Sequence, residues 1–475
     1  MAYLHGVETI VNNTGPVPVT VIKSGVIGLV GIAPIGPLNT LTAVNSVADA
    51  AQFGSPVPGF SIPQALAAIF KQGAASVLVV NVFDPTSSDY YTQVTNEAQT
   101  VTAGKLKLAY APVSAVTIKK ADGTTSTTLV KDTDYTLDEY GNYKVISTNA
   151  DQANATVLKF TYKKLNAAGI TGSVIIGSYN SGTGARTGIK CWALAKNQVG
   201  YNPKILIAPG YSSLSAVATE LISQAGAFRA ITLLDAPYAT TVAGAIAGRG
   251  VDGTINFNTA SKRAYLLYPY LKAYDIATDA NIDYPYSQFM AGLIAATDLN
   301  YGYWYSPSNK EIAGIVGAER NISAGANDTS TDANQLNEAG ITTIFNTFGT
   351  GIRTWGNRSA AYPTVTTPDN FISVQRTADV VHESLENAAL QFVDRPINQA
   401  LIDTIRETGN AFIRTLIQRG ALITGSRVEY DKTKNTPIEI AAGHLTFDIV
   451  FMVPVPGERI TFNSFIDISL LSSLT

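Results

Sequence analysis

The sequence predicts a mixed α/β and α+β multidomain chain. An α/β core carries an inserted small β-sandwich or barrel and is followed by an α+β C-terminal domain, with extended arms at both ends. Three observations carry this. Apolar strands alternate with helical stripes from residue 25 to 92 and again after Gly200, the pattern of a mainly parallel sheet covered on both faces. Between residues 95 and 168 that rhythm gives way to short alternating strands and hairpin turns. From Phe371 onward a helical block is followed by strands.

Residues 1–24 read as an arm. Val7, Thr9 and Val11 alternate with Glu8 and Ile10 in a short strand, and Asn12-Asn13-Thr14-Gly15-Pro16 with Pro18 favours an extended path after it. A lone short strand is not stable by itself. It must pair with its own body or with a neighbour.

The core is assigned to 25–92 plus 169–360. VIGLVGIAP, beginning at Val26, is a buried strand. Ser61-Ile62-Pro63 opens a helix carrying Ala65, Leu66, Ile69 and Phe70 and ending at Gly73, and SVLVVNVF is the next strand. PKILIAPG, a helix through Leu214, Val217, Leu221 and Ile222, and RAITLLDAP repeat the unit before RAYLLYPYLKAYD. In the aromatic stretch that follows, DLNYGYWYSP (Asp298–Pro307) is either an interface loop or an aromatic-filled seam between domains.

The insert, 95–168, has turn signals at Asp122-Gly123 and Gly141-Asn142, and in its last run Leu158, Phe160 and Tyr162 face away from Lys159 and Lys163. Nothing reactive clusters in it, which makes it an outward decoration.

The C-terminal domain is assigned to 361–475. Ala378, Val381, Leu385, Ala388 and Phe392 form one helical stripe, with Thr377 as its expected N-cap. Asp394 and Pro396 are expected to restart a helix carrying Ile397, Leu401 and Ile405, interrupted at Gly409; a third short helix with Phe412, Ile413, Leu416 and Ile417 stops at Gly420. In HLTFDIVFMV, Leu445, Phe447, Ile449, Phe451 and Val453 alternate with more polar neighbours in a strand. After Pro454-Val455-Pro456-Gly457, Ile460, Phe462, Ile466, Ile468 and Leu470 alternate in a last strand, with Asp467 its only charge. Exposed edges invite pairing and are usually blunted unless pairing is wanted. Both terminal strands are therefore expected to add to a neighbour's sheet, the receiver being the strand of Leu445, Phe447, Ile449 and Phe451.

Composition narrows the function. Charged residues make up 15% of the 475, against about 25% in ordinary globular chains, which points to surface covered by other subunits. The net charge of −3 leaves no global nucleic-acid footprint, and the one cysteine, Cys191, excludes an internal disulfide. The N-terminus has no signal-peptide pattern, and Val26–Ala33 is too short to span a bilayer. Locally, residues 395–434 hold seven basic side chains against four acidic ones. Arg406, Arg414 and Arg419 there form either a face that meets an acidic partner or an ordinary solvated helix face.

Catalytic patterns fail. The glycines at 182, 184 and 188 miss the dinucleotide spacing by one residue. Gly351-Ile-Arg-Thr-Trp-Gly356 has phosphate-loop spacing, but Asn357-Arg358 stands where Lys-Ser/Thr belongs; Arg353 and Arg358 could grip an anion, a reading that the missing strand–loop–helix context disfavours. His5, His382 and His444 show no metal-ligand spacing, and there is no G-x-S-x-G. No enzyme and no cofactor is expected.

The collinear set HGVETIV…SGVIGLVGIAP, PKILIAPGYS, TFGTGIRTWGNRS, FISVQRTADVVHESLENAALQFVDRPIN and HLTFDIVFMVPVPGERITFNSFID resembles contractile phage tail sheath proteins over nearly the whole chain. Related sheaths serve contractile bacteriocins and injection machines. The resemblance implies a structural subunit that stacks in six-fold rings around a tail tube and meets baseplate and tail terminator proteins. It would be assembled in the bacterial host cytoplasm as part of the virion, and would drive the tube through the envelope by repacking rather than nucleotide hydrolysis. It implies no nucleic-acid partner and no membrane insertion of the sheath itself. The three arginines would face the tube. The alternative is a self-assembling α/β binding or adhesin-like surface protein.

Overall fold

The computed structural model describes residues 18–120, 129–146, 157–250, 252–347 and 351–474. The expected strand Val7–Val11 and the turn Asp122-Gly123 lie outside them.

The core is an eight-stranded sheet. Its strands are β1 (Val26–Gly31), β2 (Thr42–Val44), β3 (Ser76–Asn81), β10 (Ile205–Ile207), β11 (Ile231–Asp235), β12 (Ala264–Leu267), β16 (Ile341–Thr347) and β17 (Gly351–Trp355). They lie in the order β17-β16-β12-β11-β10-β1-β3-β2. The six inner strands run parallel, with Ile27 opposite both Val77 and Ile205. The two outermost strands are antiparallel to their neighbours. Helices α1 (Ile62–Gln72) and α3 (Tyr286–Asn300) cover one face, where Leu66, Ile69, Met290 and Ile294 meet Ile27, Leu29, Val77 and Val79. α2 (Ser215–Phe228) covers the other, with Val217 and Leu221 against Val30, Val80, Leu206 and Leu234. Burial on both faces is why these strands read as unbroken apolar runs. α1 and α3 touch at Gly292, where a Cβ would lie 2.6 Å from the Ile69 carbonyl oxygen.

Between β3 and β10 the chain forms two three-stranded antiparallel sheets, not one continuous barrel. β4 (Tyr91–Thr100), β9 (Val157–Leu165) and β6 (Thr117–Lys120) make one; β5 (Lys105–Lys107), β8 (Asn142–Val145) and β7 (Tyr135–Leu137) make the other. They share a cluster of Leu158, Phe160, Tyr162, Tyr135 and Tyr143. The ten-residue β4 lacks apolar alternation, so no sequence period marks it; pairing with β9 holds it. A third small sheet joins β13 (Leu271–Asp275), β14 (Ala280–Tyr284) and β15 (Gly317–Ala318).

The C-terminal part corrects several expectations. α4 (Ile372–Ala389) starts well before Thr377, whose buried hydroxyl donates to the Ser373 carbonyl at 2.7 Å inside the helix. The next helix, α5 (Gln399–Gln418), is capped by Asn398 rather than Asp394 and runs unbroken through Gly409. Of the expected receiving strand only β19 (Asp448–Val450) is laddered, because β18 (Arg427–Glu429) offers three residues opposite it. His444 precedes that ladder, just after the turn at Ala442-Gly443, where its ring meets Glu439 at 2.9 Å. The run Ile460–Leu470 is no strand in the single subunit: it is unpaired chain to Asp467, then a 3-10 turn, Ile468–Leu474. Apolar alternation becomes a strand only against a partner edge. In the aromatic loop, Tyr303 and Trp304 pack into the C-terminal cluster, whereas Tyr301 and Tyr305 stay exposed.

α4 is bound to the core by a stripe of ion pairs at helical spacing. Arg376 donates to both Asp298 oxygens at 2.8 and 2.5 Å, and both side chains are buried. Asp379 takes Arg263 in a two-pronged pair at 2.7 and 2.9 Å. Glu383 pairs with Lys204 and Glu386 with Arg229.

One carboxylate is buried in the core itself. Asp235, at the end of β11, accepts from Ser212 Oγ at 3.0 Å, from the Ser287 N–H at 2.7 Å and from Ser287 Oγ at 2.5 Å. Desolvation outweighs these bonds and pushes its carboxyl up to about 6. The unfolded chain would release that proton near pH ~3.9. Between those values the native state binds more protons, so this group's contribution to stability declines as pH rises toward 6 and is flat above. Against Asp235→Asn, which cannot titrate, the wild type should lose up to roughly 3 kcal/mol of relative stability between pH ~4 and ~6.5 in denaturant titrations. A pH-independent difference would reject this account.

Candidate functional site

The C-terminal sheet is built on α5. A Cβ at Gly409 would lie 2.9 Å from Val428 Cγ2, so glycine there lets β18 lie directly on the helix. The next residue, Asn410, accepts from the Val428 N–H at 2.9 Å and donates to the Val428 carbonyl at 2.9 Å. It bonds β18 as a neighbouring strand would. Asn435 does the same for Thr446, at 2.7 and 2.8 Å.

β18 and β19 pair antiparallel, with Val428 opposite Ile449. In such a pair alternate residues aim their N–H and C=O at opposite edges. Val428 aims at Asn410, so Ile449 aims away from β18. The sheet has two strands among the described residues, and the Ile449 side is an open edge. The strand behind that edge is well backed. Phe447, Ile449 and Phe451 pack on the cluster of Val381, Phe412, Ile413 and Leu416, with the His382 ring edge-on to Phe451 at 5.6 Å. Burial and the nearby Arg229 lower the pKa of that imidazole.

Beyond β19 the chain is held at Met452, whose carbonyl accepts from the Ile423 N–H at 2.9 Å, and at the buried Val453. A few residues later it leaves the body. Phe462, Phe465 and Ile466 are 89%, 89% and 98% exposed, and Ile460, Ile468, Leu470 and Leu471 are exposed too. Burying one such side chain is worth about 1.5–3 kcal/mol, so this run leaves a large apolar surface in water in the single subunit.

The other end of the chain approaches the same region. Val19 and Ile22 pack on the C-terminal cluster, and the Ile22 N–H donates to Ser384 Oγ at 3.3 Å. Pro18–Val21 line one open groove with Asp403, Glu407, Arg414 and Arg419 of α5 and its end. Arg406 lies 3.2 Å from Asp403 and 3.5 Å from Glu407; Arg414 lies 3.8 Å from Glu407. Arg427 and Lys434 are also paired, with Glu429 and Asp448. The local basic excess is thus partly neutralised within the subunit, and such exposed pairs are worth about 0–1 kcal/mol.

Residues 184–360 match the phage tail sheath protein central domain, and residues 365–467 the phage tail sheath C-terminal domain. The tail sheath protein of Burkholderia phage BcepMu is 46% identical over 99% of this chain and 98% of its own. The chain belongs to the phage tail sheath family. A putative prophage major tail sheath protein of Pseudomonas aeruginosa is 33% identical over 66% of this chain and 77% of its own. Among solved structures, the helical sheath of the anti-feeding prophage in its contracted state has the same fold, with a TM-score of 0.61 at 16% identity, covering 98% of this chain and all of that one. The contracted sheath complex of the PVC extracellular contractile injection system gives 0.60 at 16%, covering 99% and 100%.

In this sheath-family chain the structure gathers Phe447, Ile449 and Phe451 behind one open edge, with Leu445 half-buried just before it. It leaves Ile460, Phe462, Ile466, Ile468 and Leu470 in solvent. Val7, Thr9 and Val11 lie outside the described residues. Arg406 and Arg414 share Glu407, and Arg419 caps the end of α5. Sequence reasoning took Gly409 for a helix interruption and passed over Asn410. The signal was two poor helix formers in a helix interior, a local cost that a packing or bonding role must offset.

Asn410→Ala would leave the Val428 N–H and carbonyl without partners. The expected loss is about 1–3 kcal/mol of stability, together with a new β18 edge that promotes aggregation. Thermal unfolding and light scattering check this; an unchanged midpoint would show that Asn410 does not hold the strand.

Proposed function

We propose that this chain is the structural subunit of a phage's contractile tail sheath. It polymerises in stacked six-fold rings around the tail tube, within the virion, after assembly in the host cytoplasm. Contraction then drives the tube through the bacterial envelope for genome delivery. The baseplate starts the event and a tail terminator closes the stack. The observation that carries this reading is the pairing of an exposed apolar C-terminal arm with an open, apolar-backed edge in the same subunit. A neighbour's arm, carrying Ile460, Phe462, Ile466, Ile468 and Leu470, adds as a strand on the edge of Phe447, Ile449 and Phe451. The N-terminal strand of Val7, Thr9 and Val11 reaches a neighbour in the same way. Each backbone bond contributes roughly 0.5–1.5 kcal/mol net, and several with buried Ile and Phe tether subunits while their bodies rotate. The two small sheets between Tyr91 and Leu165 form an inserted domain that decorates the outside. Energy comes from repacking, with no catalytic site and no cofactor.

Ile466→Pro in the arm and Ile449→Pro on the edge each remove one backbone donor. The Ile449 N–H points away from β18, so the second change spares the internal ladder. Both variants should be folded and fail to form cylinders by electron microscopy, where the wild type forms them. Normal cylinders from either would reject strand addition at that position.

Arg406, Arg414 and Arg419 are proposed to face an acidic tube, since charge contacts are long-ranged and release readily. Reversing all three should block assembly on purified tubes without lowering subunit stability by more than about 1 kcal/mol. Normal decoration of tubes by the triple variant would remove these residues from the tube contact.

A further inference from the structure

Arg358 lies in the glycine-rich stretch that failed as a phosphate loop. Its guanidinium holds an anion after all, and that anion belongs to the chain's own C-terminal arm. Arg358 Nε donates to the two Glu458 oxygens at 2.9 and 3.1 Å, and Nη2 bonds the same carboxylate. Nη1 donates to Asn370 Oδ1 at 2.9 Å. The guanidinium carbon sits 4.3 Å from the Tyr362 ring centre and 4.2 Å from that of Phe371. The holder is itself fixed. Asn370 is fully buried, its amide donates to the Val365 carbonyl at 2.9 Å, and its own carbonyl accepts from the Ser359 N–H at 2.8 Å. A planar cation held over two rings and forked onto a carboxylate is a geometry that lysine cannot copy.

The position of Glu458 gives the contact its meaning. Val453 is buried five residues earlier, and Ile460 is 76% exposed two residues later. The boundary between held and free chain therefore falls at Glu458–Arg459. We propose that Arg358 is a positioning residue for assembly: it clamps the root of the C-terminal arm to the junction of β17 and α4, so that the arm departs from a fixed point. Pro456 is the last part-buried residue before Glu458, so without the clamp the arm would depart from Pro456. Two more residues, about 7 Å of extended chain, would then join the free segment and blur its aim. The assembly role rests on the strand-addition reading above; the clamp itself does not, and the two are tested separately.

Arg459 is a tryptic site beside the clamped residue, and a protease needs its substrate chain free on both sides of the bond. In the purified full-length chain, Arg358→Lys and Arg358→Ala should speed cleavage after Arg459 roughly tenfold, since proteolysis follows the population of the open form. The cleaved sequence is identical in all three proteins. Glu458→Gln lies on the arm, so the body folds whatever becomes of Arg358. In that background Arg358→Lys should have no further effect, because the pair acts as one unit. Equal rates in wild type and Arg358→Lys would overturn the clamp. So would an acceleration by Arg358→Lys that is as large in the Glu458→Gln background as with the native glutamate. For assembly, Arg358→Lys and Glu458→Gln should each raise the protein concentration needed for cylinders severalfold, and Glu458→Gln, on the exposed arm, should do so with its unfolding midpoint unchanged. A faster-cut arm with an unchanged critical concentration would keep the clamp and overturn its positioning role. Loss of cylinders in Ile466→Pro, by contrast, bears on strand addition alone.

Discussion

The buried pair of Arg376 and Asp298 joins the first helix of the C-terminal part to the end of α3 in the core, and the seam between the two is organised around it. Ser24 is drawn into the same knot: its hydroxyl donates to Asp298 at 2.6 Å and its carbonyl accepts from Arg376 at 3.1 Å. The segment entering β1, the core helix and the C-terminal helix therefore meet at one desolvated charge pair. Removing one partner of such a pair typically costs about 3–5 kcal/mol, because the other charge is stranded. The further pairs of Asp379, Glu383 and Glu386 continue the seam along α4 toward water. Core and C-terminal part thus share a charged seam along α4, and the exposed apolar arm begins beyond Glu458.

Much of the fold was legible because its physics is local. Strands buried on both faces must be apolar throughout, so VIGLVGIAP and SVLVVNVF declared β1 and β3. Ser61 and Pro63 marked the start of α1 and Gly73 its end. The errors share a cause: they concern residues whose role is set by distant partners. Gly409 reads as a helix break until Val428 is seen lying on it. Thr377 reads as a cap until its hydroxyl is seen returning to Ser373. β4 carries no apolar stripe, and β9 alone makes it a strand. The terminal run Ile460–Leu470 has the alternation of a strand but no edge to join within its own chain.

At the candidate site, sequence supplied the pieces and not the arrangement. Alternation picked out Phe447, Ile449 and Phe451, but which edge of their strand stays open depends on Asn410 and Asn435, side chains that no period reveals. Charge counting picked out Arg406, Arg414 and Arg419, yet only the fold shows how far Asp403 and Glu407 offset the first two. Arg358 stands out in the sequence for the wrong reason, as part of a glycine pattern. Its partner lies a hundred residues away, beyond the reach of any local motif.

The amide of Asn410 also decides an order of events. By satisfying Val428 it seals the β18 side of the sheet, so the sheet can be extended from the β19 side alone. A first incoming strand finds its hydrogen-bonding groups ready on the folded subunit. A second one does not, since the edge it would join is the outer edge of the first. If two neighbours each donate a strand, as proposed, the later addition is therefore contingent on the earlier. On the proposed strand addition, a lattice built from such joints would grow at each subunit from the β19 edge alone.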